Sequence, residues 1–485
     1  MRVAYHAGAL RALMEAGLRF SHVDGTSGGI INTAMVLSGL TPTEMCDRWR
    51  TFKVNDAISP MPFNEYLKAP HLMAMCDADG VVNKMFPHLG IQVEKINSAI
   101  GMTGTFNVCN FTRKTNEAIP NDRVDIDLLV AGMSLPMFMP PVRKGDIWYT
   151  DSVWLKDANL LEAVKRGADE LWVLWIINNT PEFKTGFFNQ YVHMIEMSAN
   201  GSLIDEFERI NEINARIEHG EEVFGHKHPI RLHLIRPATA MPLDPDLYLN
   251  RITTASLIDL GYADAKQYLE QVPATGLPLE PETLMMSQQT KPGVSFRETM
   301  TGGFALGETD PRAGEKKGDD AGTKLSIHCD IDIKDIYAFM ADPQHLAPIT
   351  ARVDFPPFGM NIPTTNAIWN LFRPGDEPQT KYFVYEMGFE HEGEAYYLAG
   401  KKFVHDDAGI DMWADITTLF TRLHQGRDAT GPIVGAGVIY IKREQLIGLI
   451  PTIHATNTSS ATESLKVLAD FGRFFMGEIW DTYSK

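Results

Sequence analysis

Residues 20–38 read FSHVDGTSGGIINTAMVLS, and this stretch decides how the first part of the chain is interpreted. The residues from Phe20 to Val23 predict a short strand, and the run from Ile30 to Ser38 predicts a helix. Gly25-Thr26-Ser27-Gly28-Gly29 lies between them and matches the pattern G-x-S-x-G. The stretch therefore predicts a sharp strand-to-helix turn with Ser27 at its tip.

A serine in such a turn is well placed to act as a nucleophile. Its small neighbours, Gly25 and Gly29, let the chain pass close to adjacent backbone. The N-terminus of the following helix points at the serine, and the N–H of Gly28 is positioned to stabilise an oxyanion. The pattern also matches an ordinary glycine-rich turn, so the motif alone leaves both interpretations open.

The position of the motif separates two classes of serine hydrolase. It begins at Gly25, which leaves room for one helix and one strand, whereas an α/β-hydrolase has several strands before its nucleophile. A Ser-His-Asp triad also needs a histidine late in the domain. His226 and His228 are present, but their surroundings are typical of a polar loop. The sequence therefore disfavours a triad.

The patterns on either side of the motif predict an α/β domain. A helix is predicted from Ala4 to Gly17, where the glycine provides a C-terminal stop. Further strands are predicted at 105–110, 171–177 and 232–235, and a long helix at 190–217. The continuous apolar run at 171–177 is typical of a strand buried on both faces of a parallel sheet. We therefore expect residues 1–285 to form a layered domain with a mainly parallel central sheet.

The composition changes after residue 285. Glycine, proline and charged residues are mixed through 286–324 and predict a linker. Beyond it apolar residues alternate with period two, as in Phe383, Tyr385, Met387 and Phe389. This pattern predicts a mainly antiparallel β domain over 325–485, which ends in a C-terminal helix with an apolar stripe.

The charge balance limits the partners. The chain has 62 acidic and 44 basic residues, a net charge of −18, and no basic run, so we expect no nucleic-acid partner. The same charge disfavours adsorption to anionic lipid, so a peripheral membrane contact would be apolar. We find no transmembrane segment and no signal peptide, and four widely spaced cysteines indicate free thiols. These features predict a cytoplasmic protein, with peripheral membrane contact as an option.

Several further segments resemble the patatin-like phospholipase family. Arg2–Leu10 resembles the end of that family's glycine-rich loop and the helix after it. Ser134–Val142 is similar to the proline-rich approach to the family's aspartate, and Tyr149-Thr150-Asp151 ends where that aspartate belongs. Gly261–Ala265 resembles the last helix of the family's domain. The resemblance spans roughly residues 1–270.

The resemblance implies a hydrolase that uses a Ser–Asp dyad. Ser27 would be the nucleophile and Asp151 its carboxylate partner, acting through an acyl-enzyme on phospholipids, lysophospholipids or acylglycerols. Backbone N–H groups would stabilise the oxyanion, and we consider those of Gly28, Arg2 and Val3 for this role. No metal and no organic cofactor are implied.

Two features depart from the family's pattern. The sequence begins inside the glycine-rich loop, so the three glycines expected to donate to the oxyanion, and the strand before them, are missing from it. The family has glycine after the aspartate, where this chain has Ser152, and serine adopts positive φ only at a cost. A second interpretation therefore stays open: a catalytically impaired lipid-binding or scaffold protein derived from a patatin-like lipase. An acyltransferase that uses the same serine is also compatible with the sequence.

Other residues around the expected site have structural alternatives. Asp151 also fits a turn aspartate that caps a loop, and Asp157 is better explained as the N-cap of the helix that follows it. Arg2 either orients the loop before the first helix or is a solvated terminal residue. The apolar segments Met61–Phe63 and Ala69–Met75 either line an acyl channel or pack in the core.

The C-terminal domain resembles the accessory module found beside glucose–methanol–choline oxidoreductases and hydrolases. The matching pieces are Phe296–Gly302, Asp406–Trp413, Ile416–Phe420 and Phe471–Phe475. The resemblance implies no function for this module.

Overall fold

Internal contacts divide the protein into two units, Met1–Gln288 and Gln289–Lys485, each with a hydrophobic core of its own. The structure is a computed structural model. It describes all residues except 69–70, 182, 184, 242, 249–251, 272, 274, 287–290, 376–379, 405–411, 459–460 and 484–485.

The first unit mixes strands and helices, as the sequence predicts. Its strands are β1 (His22–Thr26), β2 (Thr103–Asn110), β3 (Thr115–Pro120), β4 (Val142–Lys144), β5 (Ile147–Asp151), β6 (Glu170–Leu174) and β7 (Arg231–Ile235). Its helices are α1 (Ala4–Glu15), α2 (Gly29–Leu37), α3 (Pro42–Thr51), α4 (Phe63–Tyr66), α5 (Phe86–Leu89), α6 (Val93–Asn97), α7 (Ile126–Ala131), α8 (Leu160–Lys165), α9 (Phe187–Glu218), α10 (Asp244–Tyr248) and α11 (Thr254–Gln271). The α/β class is confirmed.

The sheet of the first unit is mixed, which corrects the prediction of a mainly parallel sheet. Strand β1 runs parallel to β2, and β6 runs parallel to β7 in a separate pair. Strand β2 pairs antiparallel with β3 and β5, and β4 pairs antiparallel with β5. The connections between β2 and β3 and between β4 and β5 are short. Short connections produce hairpins, whereas parallel neighbours need a long crossover.

Helices α1 and α11 pack against each other through glycine residues. Helix α1 ends at Glu15, and Gly17 follows with φ of +92°, in agreement with the predicted stop. A Cβ atom at Gly8 would lie 1.9 Å from the carbonyl oxygen of Ile258, and one at Gly261 would lie 2.1 Å from that of Tyr5. Close backbone contact between α1 and α11 therefore depends on these two glycines.

The second unit is built around antiparallel strands. They are β8 (Gly293–Leu306), β9 (Lys324–Ile333), β10 (Leu346–Phe355), β11 (Gly359–Pro363), β12 (Thr365–Pro374), β13 (Lys381–His391), β14 (Glu394–Val404), β15 (Thr418–Gln425), β16 (Ile433–Tyr440) and β17 (His454–Thr456). Its helices are α12 (Pro311–Ala321), α13 (Ile336–Ala341), α14 (Met412–Thr417), α15 (Arg443–Leu449) and α16 (Ala461–Tyr483). The predicted β domain with a C-terminal helix is confirmed.

The strands of the second unit close into a barrel. Strands β8, β9, β10, β12, β13, β14, β15 and β16 pair in that order, and β16 pairs back with β8. Fully buried and less buried residues alternate along β9, so one face of the strand is directed into the core. Closure removes the free edges of an open sheet, which explains why period-two patterning continues through most of this unit.

The predicted linker over 286–324 is wrong for its central part, which forms β8 and α12. The glycines there serve close packing instead of flexibility. A Cβ atom at Gly302 would lie 2.1 Å from the Val438 carbonyl oxygen, and one at Gly314 would lie 2.0 Å from that of Ala436. Glycine-rich composition does not distinguish a flexible linker from close packing, because the sequence does not reveal which backbone approaches each glycine.

Two further expectations concern limited parts of the chain. No helix within the described residues is long and apolar enough to span a membrane. Residues 406–411, which belong to one of the pieces that resemble the oxidoreductase-associated module, lie outside the described residues. The resemblance of the second unit to that module remains a prediction.

Candidate active site

Ser27 lies in a sharp turn between β1 and α2. Its φ is +52°, a left-handed conformation that costs free energy for a residue other than glycine. A Cβ atom at Gly25 would lie 2.5 Å from the Thr33 hydroxyl oxygen, so this glycine is required by close contact. At Gly29 nothing lies within 4 Å of such a Cβ atom. The turn has the strained geometry expected of a nucleophile turn, although only one of its outer glycines is sterically necessary.

Strand β2 brings Ser27 and Asp151 together. Along one edge of β2, Thr26 at the end of β1 pairs with Asn107, and Asp151 at the end of β5 pairs with Val108. Strand β3 occupies the opposite edge of β2 along the same residues, so β1 and β5 must share one edge. The ends of these two strands therefore meet at adjacent positions of β2, and the residue after Thr26 is Ser27.

The Asp151 carboxyl group is fully buried. The Asp151 Oδ1 atom accepts a hydrogen bond of 2.8 Å from the Val153 N–H. The backbone N–H of Asp151 donates to the Ser134 carbonyl over 3.1 Å. Desolvation raises the pKa of Asp151 to about 7, and hydrogen bonding from the Ser27 side chain and the Val153 N–H opposes the rise. No described group meets full hydrogen-bond geometry with Oδ2. The Ser27 contact is therefore long or poorly aligned, as catalytic contacts often are before substrate binds.

The three considered oxyanion donors differ in their availability. Gly28 precedes the first residue of α2, where a backbone N–H has no partner inside the helix. Val3 lies against it: a Cβ atom at Gly28 would be 2.5 Å from the Val3 side chain. The Val3 carbonyl is held by the Asn32 side chain over 2.8 Å. The N–H of Arg2 faces the Asp244 carboxylate and helps to lower the pKa of that group, so Arg2 is the least available of the three donors.

Ser152 fits the turn where glycine was expected. It is not among the described residues with positive φ, so serine is not strained there. Its side chain is fully buried, and its hydroxyl donates a short hydrogen bond to the Asn116 side chain. The departure from the family's pattern at this position therefore adds a contact.

Two more carboxyl groups near the site carry raised pKa values. Desolvation raises the pKa of Asp24, on β1, to about 7, although Thr105 and Asn107 donate hydrogen bonds to it. Desolvation and the charge of Asp151 raise the pKa of Asp157 to about 8, and the Arg2 guanidinium lowers it. Asp157 is not a helix N-cap, because α8 begins at Leu160 with Asn159 in that position.

Sequence reasoning missed a set of polar residues behind the site. Asn107 is fully buried in the middle of β2, and its amide contacts residues of β1, β3 and the segment before α8. Asparagine disfavours strands, so its presence between apolar residues of a predicted strand was the available signal. Among the described contacts no histidine touches Ser27 or Asp151, and the His226 ring contacts the Val164 carbonyl.

One family model matches part of the chain. Residues 1–164 match the family model described as patatin-like phospholipase. The first unit contains a patatin-like domain. The matched range includes the Ser27 turn, Asp151 and Ser152, while the second unit lies outside it.

Matches to individual proteins are distant. Among solved structures, VipD from Legionella pneumophila is similar at a TM-score of 0.29 and 12% identity, over 56% of this chain and 65% of that chain. This chain therefore spans a little under two thirds of VipD's length, and a TM-score of this size supports no structural inference. The curated proteins contain no significant match.

Proposed function

We propose that the patatin-like domain is a serine acyl-hydrolase that cleaves lipid acyl esters with Ser27 and Asp151. The observation that carries the proposal is the register of β2, which sets the strained Ser27 turn beside a buried Asp151. The family match supports a lipid acyl-hydrolase in general. Phospholipids, lysophospholipids and acylglycerols are the substrate classes that we consider.

The proposed chemistry needs one carboxylate and two backbone donors. Ser27 Oγ attacks the ester carbonyl, and Asp151 takes the hydroxyl proton as the new C–O bond forms. The N–H groups of Gly28 and Val3 stabilise the oxyanion. When the intermediate collapses, the C–O bond to the alcohol breaks and Asp151 returns the proton to the leaving oxygen. Asp151 then takes a proton from water as the water oxygen attacks the acyl-enzyme carbonyl, and it returns that proton to Ser27 Oγ as the C–O bond to serine breaks and the fatty acid leaves.

The environment of Asp151 supports this role. A general base works best when its pKa lies near the working pH. Burial raises the pKa of Asp151 to about 7, so a large fraction of the group is ionised at neutral pH while its basicity exceeds that of an exposed aspartate. No imidazole is required for proton transfer under these conditions.

An apolar rim next to the site supports a lipid substrate and contact with a lipid surface. It consists of exposed side chains from three segments: Phe63, Leu67, Met73, Met75, Met137, Phe187, Phe188, Met194 and Met197. Phe63 and Phe187 are 78% and 80% exposed, and Met73 and Met75 are also exposed, whereas Ala74 between them is buried. Exposed apolar side chains grouped in this way are typical of interaction sites.

Hydrogen bonds connect the three segments of the apolar rim to one another and to Asp151. The Met75 N–H donates to the Met137 carbonyl over 2.8 Å, and the Tyr191 hydroxyl on α9 donates to the Pro136 carbonyl over 2.7 Å. The Ser134 carbonyl, in the same segment as Pro136 and Met137, accepts a hydrogen bond from the Asp151 N–H. The rim therefore lies close enough to the site to receive the acyl chains of a substrate.

The charge pattern favours an uncharged or zwitterionic lipid surface. The net charge of −18 opposes anionic lipid, and in the first rim segment Lys68 pairs with Glu65 at 2.6 Å. All four cysteines are free, which is compatible with the reducing cytoplasm. We therefore propose a cytoplasmic enzyme that contacts membranes peripherally.

Labelling with a fluorophosphonate tests the proposed nucleophile. We expect one equivalent of probe on the full chain, complete loss in Ser27→Ala, and unchanged labelling in Ser98→Ala, an exposed serine outside the site. Ester turnover should follow the same pattern. A folded chain that takes up no probe would instead favour the second interpretation, a catalytically impaired lipid-binding protein.

Binding to phosphatidylcholine vesicles tests the apolar rim. We expect Phe63→Asp and Phe187→Asp each to weaken binding about tenfold, because burying one phenylalanine contributes about 1.5–3 kcal/mol. Turnover of a water-soluble short-chain ester should change less than about twofold. Ile100→Asp is the matched control, since Ile100 is 98% exposed and precedes the opposite end of β2. Equal effects of all three substitutions would contradict the rim.

A further inference from the structure

A layer of buried and half-buried polar side chains lies behind the turn of Ser27. At its centre is Asn107, which has no solvent exposure. Its Nδ2 donates to Asp24 Oδ1 over 2.7 Å and to the Thr26 hydroxyl over 3.0 Å. It also lies 3.4 Å from the Gly25 carbonyl oxygen. The donor side of this amide therefore contacts the three residues that lead into Ser27.

The acceptor side of the same amide contacts the other half of the site. Asn107 Oδ1 accepts from Asn116 Nδ2 over 3.2 Å and from Asn159 Nδ2 over 3.0 Å. Asn116 Oδ1 in turn accepts the hydroxyl of Ser152, the residue after Asp151. The amide planes of Asn107 and Asn116 thus connect the residue before the nucleophile with the residue after the carboxylate.

We propose that Asn107, through Asn116 and Ser152, is the positioning residue that holds Ser27 and Asp151 at their working separation. The inference rests on the proposed hydrolase. Covalent bonds join Thr26 to Ser27 and Ser152 to Asp151, so the hydrogen bonds form a continuous chain of contacts from one reacting group to the other. We call the side chains of Thr26, Asn107, Asn116 and Ser152 the relay. None of them touches the substrate in this scheme.

Burial makes the relay rigid. A buried amide that loses a partner pays the desolvation cost of the unpaired group, about 1–3 kcal/mol per group. Because both ends of the Asn107 amide are bonded, rotating the side chain would break contacts on both sides at once. A shift of about 1 Å in a catalytic group can lower a rate about 100-fold. The relay opposes such a shift where the Ser27 contact is not itself a well-formed hydrogen bond.

Ser152 makes the relay a property of this chain. Glycine, which the resembling family has after its aspartate, offers no hydroxyl for Asn116. A chain whose sheet is arranged like this one gains the final link only with a side-chain donor at this position. The serine therefore acts as a tether for the aspartate turn and not as a tolerated substitution.

The first test compares Asn107→Ala with a matched buried asparagine. Asn121 is also buried, and its side chain bonds the Gly104 N–H over 3.0 Å and the Ile96 carbonyl over 2.9 Å at the far end of β2. We expect both alanine variants to lower the melting temperature. Only Asn107→Ala should also lower kcat and the fluorophosphonate labelling rate, by about 100-fold, with KM within about threefold. Equal losses of kcat in both variants would reduce the role of Asn107 to general stability.

The second test examines the links one by one. We expect Thr26→Val to lower kcat about tenfold, and Thr26→Ser, which keeps the hydroxyl, to restore it. Ser152→Ala should lower kcat in the wild-type background but add nothing to Asn116→Ala, because the two side chains act in one chain of contacts. Suppose that the wild type reacts with the probe. Additive effects of the two substitutions, or an unchanged kcat in Ser152→Ala, would then overturn the relay and leave the proposed hydrolase intact. A wild type that takes no label would overturn both.

Discussion

At the scale of single residues, burial of the Asp151 carboxyl raises its basicity and lowers the stability of the folded protein above about pH 4. The folded pKa of Asp151 is about 7, whereas an unfolded aspartate titrates near 3.9. Below pH 4 both states are protonated and folding is not penalised. As the pH rises towards 7 the unfolded state ionises first, so the contribution of Asp151 becomes increasingly destabilising, on the order of 4 kcal/mol above pH 7.

We therefore predict that Asp151→Asn stabilises the protein in a pH-dependent way. The free energy of unfolding of the first unit should rise by about 2 kcal/mol at pH 8 and by less than about 1 kcal/mol at pH 4. The amide oxygen still accepts the Val153 N–H, while ester turnover is lost. Urea unfolding at both pH values measures the effect, with the fully exposed Asp146→Asn as control. A gain that is equal at both pH values would argue against a raised pKa.

At the scale of elements, the start of α1 is fitted against the start of α2. The contact depends on Gly28, whose missing side chain admits Val3, while its neighbour Gly29 has open space around it. Two glycines of one motif thus have different reasons to be there. The first sets the distance between the turn and a proposed oxyanion donor, and the second lies in the helix.

We predict that Gly28→Ala and Gly29→Ala have opposite outcomes. Gly28→Ala should lower the fluorophosphonate labelling rate by at least about tenfold, since loss of one oxyanion donor typically costs about 100- to 1,000-fold. Gly29→Ala should keep the rate within about threefold and stabilise α2 by up to about 1 kcal/mol. Labelling kinetics and thermal unfolding of both variants measure this. Similar losses in the two variants would place the requirement in the motif as a whole and not in the Val3 contact.

At the scale of the whole molecule, the two units have separate cores, and the barrel contains its own buried charges. Glu298, Tyr385 and Lys402 are all nearly inaccessible. The Lys402 ammonium is 2.7 Å from one Glu298 oxygen, and the Tyr385 hydroxyl donates to the other over 2.8 Å. Glu298, Tyr385 and Lys402 lie on β8, β13 and β14 respectively, so the cluster crosses the barrel interior from one wall to another.

We predict that Lys402→Met destabilises the barrel and leaves the patatin-like domain unaffected. Removing one partner of a buried ion pair leaves an uncompensated charge and costs about 3–5 kcal/mol. Calorimetry should show a lowered transition for the second unit, and ester turnover below that transition should match the wild type. Lys401→Met, on the neighbouring outward-facing position of β14, is the control. Loss of turnover in parallel with barrel unfolding would show that the units depend on each other.

The sequence by itself determined the elements whose cause is local. The strand–turn–helix around Ser27, the stop of α1 at Gly17 and the period-two strands of the second unit follow from residue spacing, glycine and alternation, and the structure agrees with them. The α/β class followed from the order of these elements. The residues expected to form the site, Ser27 and Asp151, were chosen from motifs and resemblance, and their catalytic role stays a prediction.

Only the tertiary structure decided which segments touch. It turned the supposed linker into β8 and α12, because the glycines there face backbone that arrives from β16. It made Arg2 the least available of the three donors, because the Asp244 carboxylate lies beside its N–H. It also gave Asn107 its place, because a polar residue in a strand becomes informative only when its partners, distant in the chain, are known. Local pattern sets the conformation of a segment, whereas contacts between distant segments depend on how the whole chain packs.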